Sequence, residues 1–527
     1  MTVELGVKIA SVVLICFYAV VRFRYELQMM QQNSYRLGRY WRWLRSDLTG
    51  TTRITDLLML AVVFIFHGNR WEMYAIGFVG LLSLYKSIRE FRVKYKKPLV
   101  FTARALRLYS VGITIVLLGV SLVWYATGTT YWAVFTAAAF AVLSPPTMSL
   151  SLILLMPFEK LINRWYWGDA RRILRAMPHL TVIGITGSYG KTSTKHYLYR
   201  ILSERFNVVM TPGSYNTTLG VVRTVRERLR PFHDVFIVEM GAKQPGDIAE
   251  ICRLVNPRMG IITAVGEQHL ETFRSIENVQ RTKFELTDAL PSGGTAILND
   301  DFPYIANRPV TNVKNVFRYA SGGATADYRI ADVTYGRGET TFSIEGPEGL
   351  SEQFTTKLAG IHNLSNILAG YIAGRQLGMT GTEMRYAISQ IEQVEHRLNI
   401  KQAPGGITVI DDAFNSNPHG SKMALDVLAS FTDGQRIVVT PGMVELGSKQ
   451  YEYNRVFGSQ MASSCDLAIV VGAYNREAIL AGLADGGFDE SRIYAARDFA
   501  DASAKVRETV RPGDIVLYEN DLPDTYK

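Results

Sequence analysis

Cysteine is scarce in this chain: Cys16, Cys252 and Cys465 are the three in 527 residues, far apart and with no paired spacing. That excludes a disulfide framework and a zinc site of the closely spaced kind, and it fits a reducing compartment. A cysteine–histidine nucleophile pair is also missing. The first apolar stretch has neither a basic leading region nor a small-residue cleavage site, so it reads as a retained segment and not as a cleaved leader. Acidic residues are few at one end. Residues 1–170 hold 19 Lys and Arg against 8 Asp and Glu, a net +11, so the whole-chain +9 leaves −2 for residues 171–527. Because the basic third is also the most apolar, it points to a lipid bilayer and away from nucleic acid. The length suggests roughly three or four domains.

Apolar runs cover residues 5–21, 57–66, 74–85, 108–126 and 131–158. The second and third are shorter than the roughly 20 residues a straight span needs and must borrow flanking residues. Arg22, Arg24, Arg36, Arg39, Arg42, Arg45 and Arg53 fill the first connection, and further basic residues from Lys86 to Arg107 fill another. The positive-inside rule puts both in the cytoplasm. For a nucleotide site further on to meet cytoplasmic ATP, residues 131–158 must cross once, as a long span bent at Pro145 and Pro146, giving about five spans. Trp165, Tyr166 and Trp167, followed by Arg171, Arg172 and Arg175, read as an interfacial helix or a solvated linker. The arginine-rich loop with Tyr40, Trp41 and Trp43 is either a topogenic charge run or a binder of anionic head groups.

The rest of the chain is organised around T-V-I-G-I-T-G-S-Y-G-K-T-S-T at 181–194. A β-branched apolar run reads as a buried strand. It breaks at Gly187, Ser188, Tyr189 and Gly190 before a helix carrying Lys191, Thr192 and Ser193. Glycines let backbone N–H groups converge on phosphate oxygens, Lys191 can reach the terminal phosphates, and Thr192 can ligate Mg²⁺. The match is not literal, because Ile185 stands where the strict motif has glycine. Beyond it, strand-like runs at 235–239, 260–264, 295–298, 409–411, 437–440, 467–471 and 515–517 alternate with helical patterns. This predicts an α/β fold with parallel sheets and ligands at the carboxyl ends of the strands. Glu239, His269, Asn299 to Asp301, Asp411 and Asp412 stand at those ends. A carboxylate beside a phosphate loop suits Mg²⁺, although each residue taken singly also serves as a helix cap or turn residue.

Ten motifs then occur in order: G-I-T-G-S-Y-G-K-T-S at 184–193, Y-N-T-T-L-G at 215–220, E-M-G-A at 239–242, T-A-V-G-E-Q-H-L-E at 263–271, T-K-F-E-L at 282–286, L-N-D-D at 298–301, G-I-H-N-L-S-N at 360–366, H-R-L at 396–398, D-D-A-F-N-S-N-P at 411–418 and G-M-V-E-L-G at 442–447. With these, residues 180–517 resemble the Mur ligase family, nearest its D-alanyl-D-alanine-adding subgroup. The resemblance implies a P-loop central domain at 166–395 and a Rossmann-like α/β domain at 396–527, behind a transmembrane region at 1–165. It also implies an enzyme that activates a carboxylate with ATP as an acyl phosphate and lets an amine attack it. By the motif match, Gly187, Ser188, Gly190, Lys191, Thr192 and Ser193 cradle the phosphates. Thr192 and Glu239 hold the nucleotide magnesium, His269 serves a second metal, and Asn216 fixes that region. Lys283 matches a lysine that members carbamylate, giving an anion able to ligate or orient Mg²⁺. Asn299, His362, Asn363 and Asn366 lie around the adenine and its support, with helix capping as the other reading of Asn363 and Asn366, and Arg397 and Asp412 close onto the nucleotide.

Three departures stand out against that family. Membrane segments replace its amino-terminal domain, which favours a lipid-linked or membrane-proximal acceptor. Phe414 stands where the subgroup usually has tyrosine. A Y-E-N-D-L-P-D-T-Y tail replaces its lysine-glycine-serine stretch, so Glu519, Asp521 and Asp524 either position an amine or form a solvated acidic tail. The sequence therefore predicts a multipass enzyme of the bacterial plasma membrane with cytoplasmic catalytic domains. It would join an amino acid or dipeptide amine to a carboxylate on a cell-envelope precursor, with other envelope-synthesis proteins as candidate partners. The rivals are a poly-γ-glutamate-like synthetase, a membrane-anchored P-loop ATPase or tyrosine kinase regulating polymer export, and a degenerate scaffold.

Overall fold

Strand β1 (Thr181–Thr186) turns Val182 to one core and Ile183 and Ile185 to the other, and β3 (Val235–Glu239) divides Phe236 and Val238 from Val235 and Ile237 in the same way. Side chains that alternate between two apolar layers need helices on both faces of the sheet. Helices Lys191–Leu202 and Ile361–Gln376 cover one face, and Asp247–Val255 and Ile276–Asp288 cover the other. The computed structural model describes residues 2–47, 51–93, 95, 97–322, 326–335, 339–395, 397–413 and 416–522. One compact unit is built from Met1–Asn163 with Leu522–Lys527, and a second from Arg164–Asp521.

In the second unit β1 and β3 are joined by β2 (Val208–Met210), β4 (Met259–Ile262), β5 (Thr295–Asn299), β6 (Asn315–Ala320), β7 (Tyr328–Tyr335), β8 (Thr340–Gly346) and β9 (Leu350–Thr356). Their order is β2-β3-β1-β4-β5-β6-β7-β8-β9, parallel as far as the β6–β7 pair and antiparallel through β8 and β9. Because β1 lies between β3 and β4, the chain reverses direction across the sheet there. The crevice at the carboxyl end of β1 is where such sheets take ligands. A second sheet holds β10 (Asn399–Ala403), β11 (Ile407–Asp412), β12 (Arg436–Thr440), β13 (Leu467–Val471), β14 (Ile493–Ala496) and β15 (Ile515–Glu519), in the order β10-β11-β15-β12-β13-β14. It is parallel except for the β10–β11 pair.

Every strand expected from an apolar run is present, within a residue or two. Those not foreseen are β2, β6 to β9, β10 and β14. Several lie at sheet edges with one face toward solvent, and there alternation replaces the continuous apolar run.

The first unit is helical: Thr2–Gln32, Leu37–Asp47, Thr51–Ile65, Glu72–Arg92, Ala103–Thr127, Thr130–Val142 and the helix Ser144–Arg175, which continues into the second unit. Among the described residues two helices are long and apolar enough to cross a membrane, Val3–Gln32 and Ala103–Thr127. The pair Thr130–Val142 and Ser144–Arg175, bent by 79°, makes a third if it is one span. Of the other segments expected to span, Thr51–Ile65 has 15 residues, and Glu72–Arg92 carries Lys86, Arg89, Glu90 and Arg92. The bend falls at Leu143, just ahead of Pro145 and Pro146. These prolines occupy the first turn of the next helix, where a missing N–H costs nothing. Trp165 to Arg175 form the end of that long helix and not a separate interfacial one. Inside the first unit, Arg22 donates to Glu26 at 3.2 Å and lies 3.3 Å from Asp56. Lys86 pairs with Asp56, and the Tyr40 and Tyr18 hydroxyls donate to Glu26 and Asp56 at 2.5 and 2.6 Å.

Candidate active site

The loop after β1 needs its glycines. Gly190 has φ +76°, and a Cβ there would stand 2.8 Å from Asn366 Oδ1. Ser188 donates to Gly266 O at 2.9 Å, which ties this loop to the one following β4. Gly190 precedes helix Lys191–Leu202, so the N–H groups of its first turn open toward the loop. The Lys191 ammonium folds back onto Gly187 O at 2.6 Å and Ser188 O at 3.3 Å. Burial lowers its pKa to about 8 against the attraction of Glu239.

Glu239 ends β3, the neighbour of β1, and is buried. Thr192 donates to its Oε1 at 3.4 Å and Asn216 Nδ2 at 3.0 Å, and Thr192 in turn accepts from Arg397 Nη2 at 3.4 Å. Its Oε2 lies 2.9 Å from the Lys195 ammonium, which is wholly buried and donates to Gly213 O at 2.6 Å. Despite its burial, Glu239 is held below the usual carboxylate range by Lys195, Lys191 and Asn216. The structure thus gathers Gly187, Ser188, Gly190, Lys191, Thr192, Asn216, Glu239 and Arg397 into one cluster.

Lys283 lies in helix Ile276–Asp288 and is 2% exposed. Burial, and then the charge of Lys191, push its ammonium well below the ordinary lysine value. His269 stands at φ +53° before the short helix Leu270–Phe273, and its Nδ1 meets Glu445 Oε2. Burial lowers the imidazole despite that carboxylate, with further repulsion from Lys243 and Lys283.

The residues expected around the adenine and its support are tied into the fold. Asn299 Nδ2 donates to Thr263 O at 2.9 Å, Asn363 accepts from the Tyr197 hydroxyl at 2.8 Å, and Asn366 Oδ1 accepts from Thr194 at 3.0 Å. Ser193 lies in the first turn of the same helix as Thr194. His362 is pushed by burial to about 4 and is neutral. Asp412, at the end of β11, accepts from Leu398 N at 3.1 Å and pairs in register with Glu519 on β15. Glu519 is buried, accepts from Ser416 and is raised well above the usual range by burial and the Asp412 carboxylate, so a solvated acidic tail does not describe it. Phe414, His396 and Asp524 fall outside the described residues.

Sequence reasoning missed Lys195 and Glu445. The first had a signal: it lies four residues after Lys191, on the same helix face. The second sits in a motif already singled out, but only the fold brings it to His269.

Comparison with known proteins follows this geometry. The Mur ligase middle domain profile matches residues 185–374, and that of the Mur ligase, glutamate ligase domain matches 396–518. The UDP-N-acetylmuramoyl-tripeptide–D-alanyl-D-alanine ligase of Mycobacterium tuberculosis (strain H37Rv) is 32% identical over 359 residues, covering 64% of this chain and 70% of that protein. The ligase of the same name from Bacillus subtilis (strain 168) is 29% identical over 342 residues, covering 64% and 72%. The MurF ligase of Thermotoga maritima, solved in complex with ADP, superposes with a TM-score of 0.60 at 27% identity over 68% of this chain and 80% of its own. MurF from Acinetobacter baumannii gives 0.62 at 25% identity over 69% and 78%. The first profile falls on the sheet whose strand ends carry the phosphate loop and Glu239 and the second on the sheet that Arg397 precedes, and the chain belongs to the Mur ligase family of ATP-dependent, amide-forming ligases.

Proposed function

We propose that this chain joins an amine to a carboxylate on a cell-envelope precursor, activating the carboxylate with ATP as an acyl phosphate. The observation that carries the reading is the convergence of Lys191, Thr192, Glu239 and Arg397 at the carboxyl ends of β1 and β3, with Lys283 and His269 nearby. In the reaction a carboxylate oxygen attacks the γ-phosphorus and ADP leaves. The amine then attacks the acyl carbon, phosphate leaves, and the amine gives up a proton. Lys191 and Arg397 would neutralise the phosphate charge, and the Gly187–Gly190 backbone would orient it.

Magnesium fits this donor set. Among the described residues no cluster of three or more His, Cys, Asp or Glu side chains could hold an ion alone, but a nucleotide-bound Mg²⁺ needs few protein ligands. Glu239 is a buried carboxylate held in its charged form, with Oε2 paired to Lys195 and Oε1 only 3.4 Å from the Thr192 hydroxyl, so Oε1 and that hydroxyl form the oxygen pair a nucleotide-bound Mg²⁺ would meet. Thr192 and Glu239 would hold the metal, and His269 a second one, with Asn216 orienting Glu239. The metal supplies charge neutralisation at the phosphates.

Carbamylation of Lys283 is supported by its burial and lowered pKa, because the neutral amine is the form that takes up CO₂. The exposed apolar faces of the first unit, Leu117, Leu118 and Leu122 among them, support a multipass plasma-membrane enzyme whose catalytic domains face the cytoplasm. The domain limits 1–165, 166–395 and 396–527 belong to the same reading. In such a protein the acceptor is a lipid-linked, peptidoglycan-like precursor and the amine an amino acid or dipeptide.

The test uses the full chain in lipid nanodiscs with ATP, Mg²⁺ and a membrane lipid extract, screening amino acids and dipeptides for ADP release and the lipids for added mass. Release that needs one amine, with a matching mass gain, is expected. Turnover without an amine, or phosphate on a tyrosine of the chain, overturns the ligase reading.

The pH dependence of nucleotide binding follows from Lys191. A phosphate-bound ammonium keeps its proton more tightly than the free one, so affinity is full below the free pKa of about 8 and falls as pH rises through it. The dissociation constant of a non-hydrolysable ATP analogue should rise about tenfold for each pH unit above that value. A flat profile would show that Lys191 is not the group in contact.

A further inference from the structure

Two loops of the catalytic unit interlock at His269. From the loop after β4 come Glu267, His269 and Glu271, and from the loop after β12 come Glu445, Gly447 and Lys449. Glu445 Oε2 meets His269 Nδ1, and Glu445 Oε1 lies 3.5 Å from the Lys243 ammonium. The Glu271 amide donates to Glu445 O at 3.4 Å, and Lys449 pairs with Glu267 at 2.9 Å. Both His269 and Glu445 hold left-handed backbone, at φ +53° and +63°. Non-glycine residues in that region are strained and persist where surrounding contacts impose them. Both side chains are largely buried, at 15% and 14% exposed.

We propose that Glu445 is a positioning residue for His269: by accepting the Nδ1 proton it fixes the imidazole tautomer and leaves the Nε2 lone pair for a metal, and it does so only when the two loops meet. A carboxylate accepts and does not donate, so the Nδ1–H tautomer is dictated. A metal-bound histidine whose second nitrogen is held this way is both better oriented and more basic. Glu445 sits at the end of the second sheet while His269 follows the first, so orientation of the imidazole depends on closure of one sheet domain on the other. This inference rests on the reading of His269 as a ligand of a second metal.

The experiment is Mn²⁺ binding to the full chain in nanodiscs with a non-hydrolysable ATP analogue, followed by electron paramagnetic resonance, including the nitrogen modulation that an imidazole ligand gives. Wild type should take up a strong and a weaker Mn²⁺, with imidazole nitrogen on one of them. Glu445→Ala should weaken only the imidazole-bearing site, by about 10–100-fold. Lys449→Ala, which breaks the neighbouring tie without touching His269, should weaken it far less. If Glu445→Ala leaves both affinity and nitrogen signal unchanged, the inference is overturned. It is overturned equally if Glu445→Ala weakens the site but leaves the imidazole nitrogen signal of the bound ion unchanged, since the carboxylate would then not orient the ring. A wild type without any imidazole signal would instead remove His269 from the metal, and the proposal with it.

Discussion

Lys283→Ala is expected to abolish amine-dependent ADP release, a fall of at least about 10²–10³-fold, the scale for loss of one preorganised electrostatic partner in a phosphoryl or acyl transfer site. The side chain is buried within a helix, 2% exposed, and the charge of Lys191 is unfavourable to it as a cation. As a carbamate it would be an anion facing Lys191 and His269, and burial would then be compensated. Taking up CO₂ forms a carbon–nitrogen bond and releases one proton, so the modified state is favoured by whatever keeps the amine neutral. Added formate or acetate is expected to restore part of the activity of the alanine variant by supplying the missing anion. Full activity in Lys283→Ala without any addition would end the carbamate assignment. Loss without rescue, together with intact nucleotide binding, would point to a purely steric role.

Lys191→Met is the second large effect, because methionine keeps the length and removes the charge. ADP formation should fall by about 10³-fold, and affinity for the ATP analogue should lose its dependence on pH above about 8. Paired measurements of turnover and binding separate the two contributions. If turnover falls while affinity holds, the ammonium acts on charge that develops during transfer. Retention of turnover within severalfold would mean that Arg397 or the loop amides carry the phosphate alone.

Much of this was legible in the residues. The β1 run and its glycines announced the cradle, and apolar runs located the strands buried on both faces. What lay hidden is three-dimensional. Strands β7 and β9 escape because exposed and polar residues interrupt them, and β8, though mostly buried, reads T-T-F-S-I-E-G, so no apolar run marks any of the three. Glu445 escapes because nothing in a G-M-V-E-L-G stretch says which side chain it will meet 176 residues away. Asn299 and Asn363 stand out in their motifs, but the partners of their amides, Thr263 and Tyr197, are set by the fold and not by local spacing. Hydropathy marks apolar segments but not helix ends, so the shorter apolar runs are the least legible as spans. Thr51–Ile65 stops after 15 residues.

Lys195 has a consequence for the order of events. Its ammonium already sits 2.9 Å from Glu239 and neutralises that carboxylate within a buried site. A divalent cation arriving by itself would meet a charge that has been cancelled and would bring two more positive charges beside Lys195 and Lys191, so its solitary affinity should be low. The same cation carried in by a triphosphate brings its own compensating anion. The resting enzyme is therefore built to ignore free metal and to admit it as cargo of the nucleotide, which makes the complex, and not either component, the first ligand.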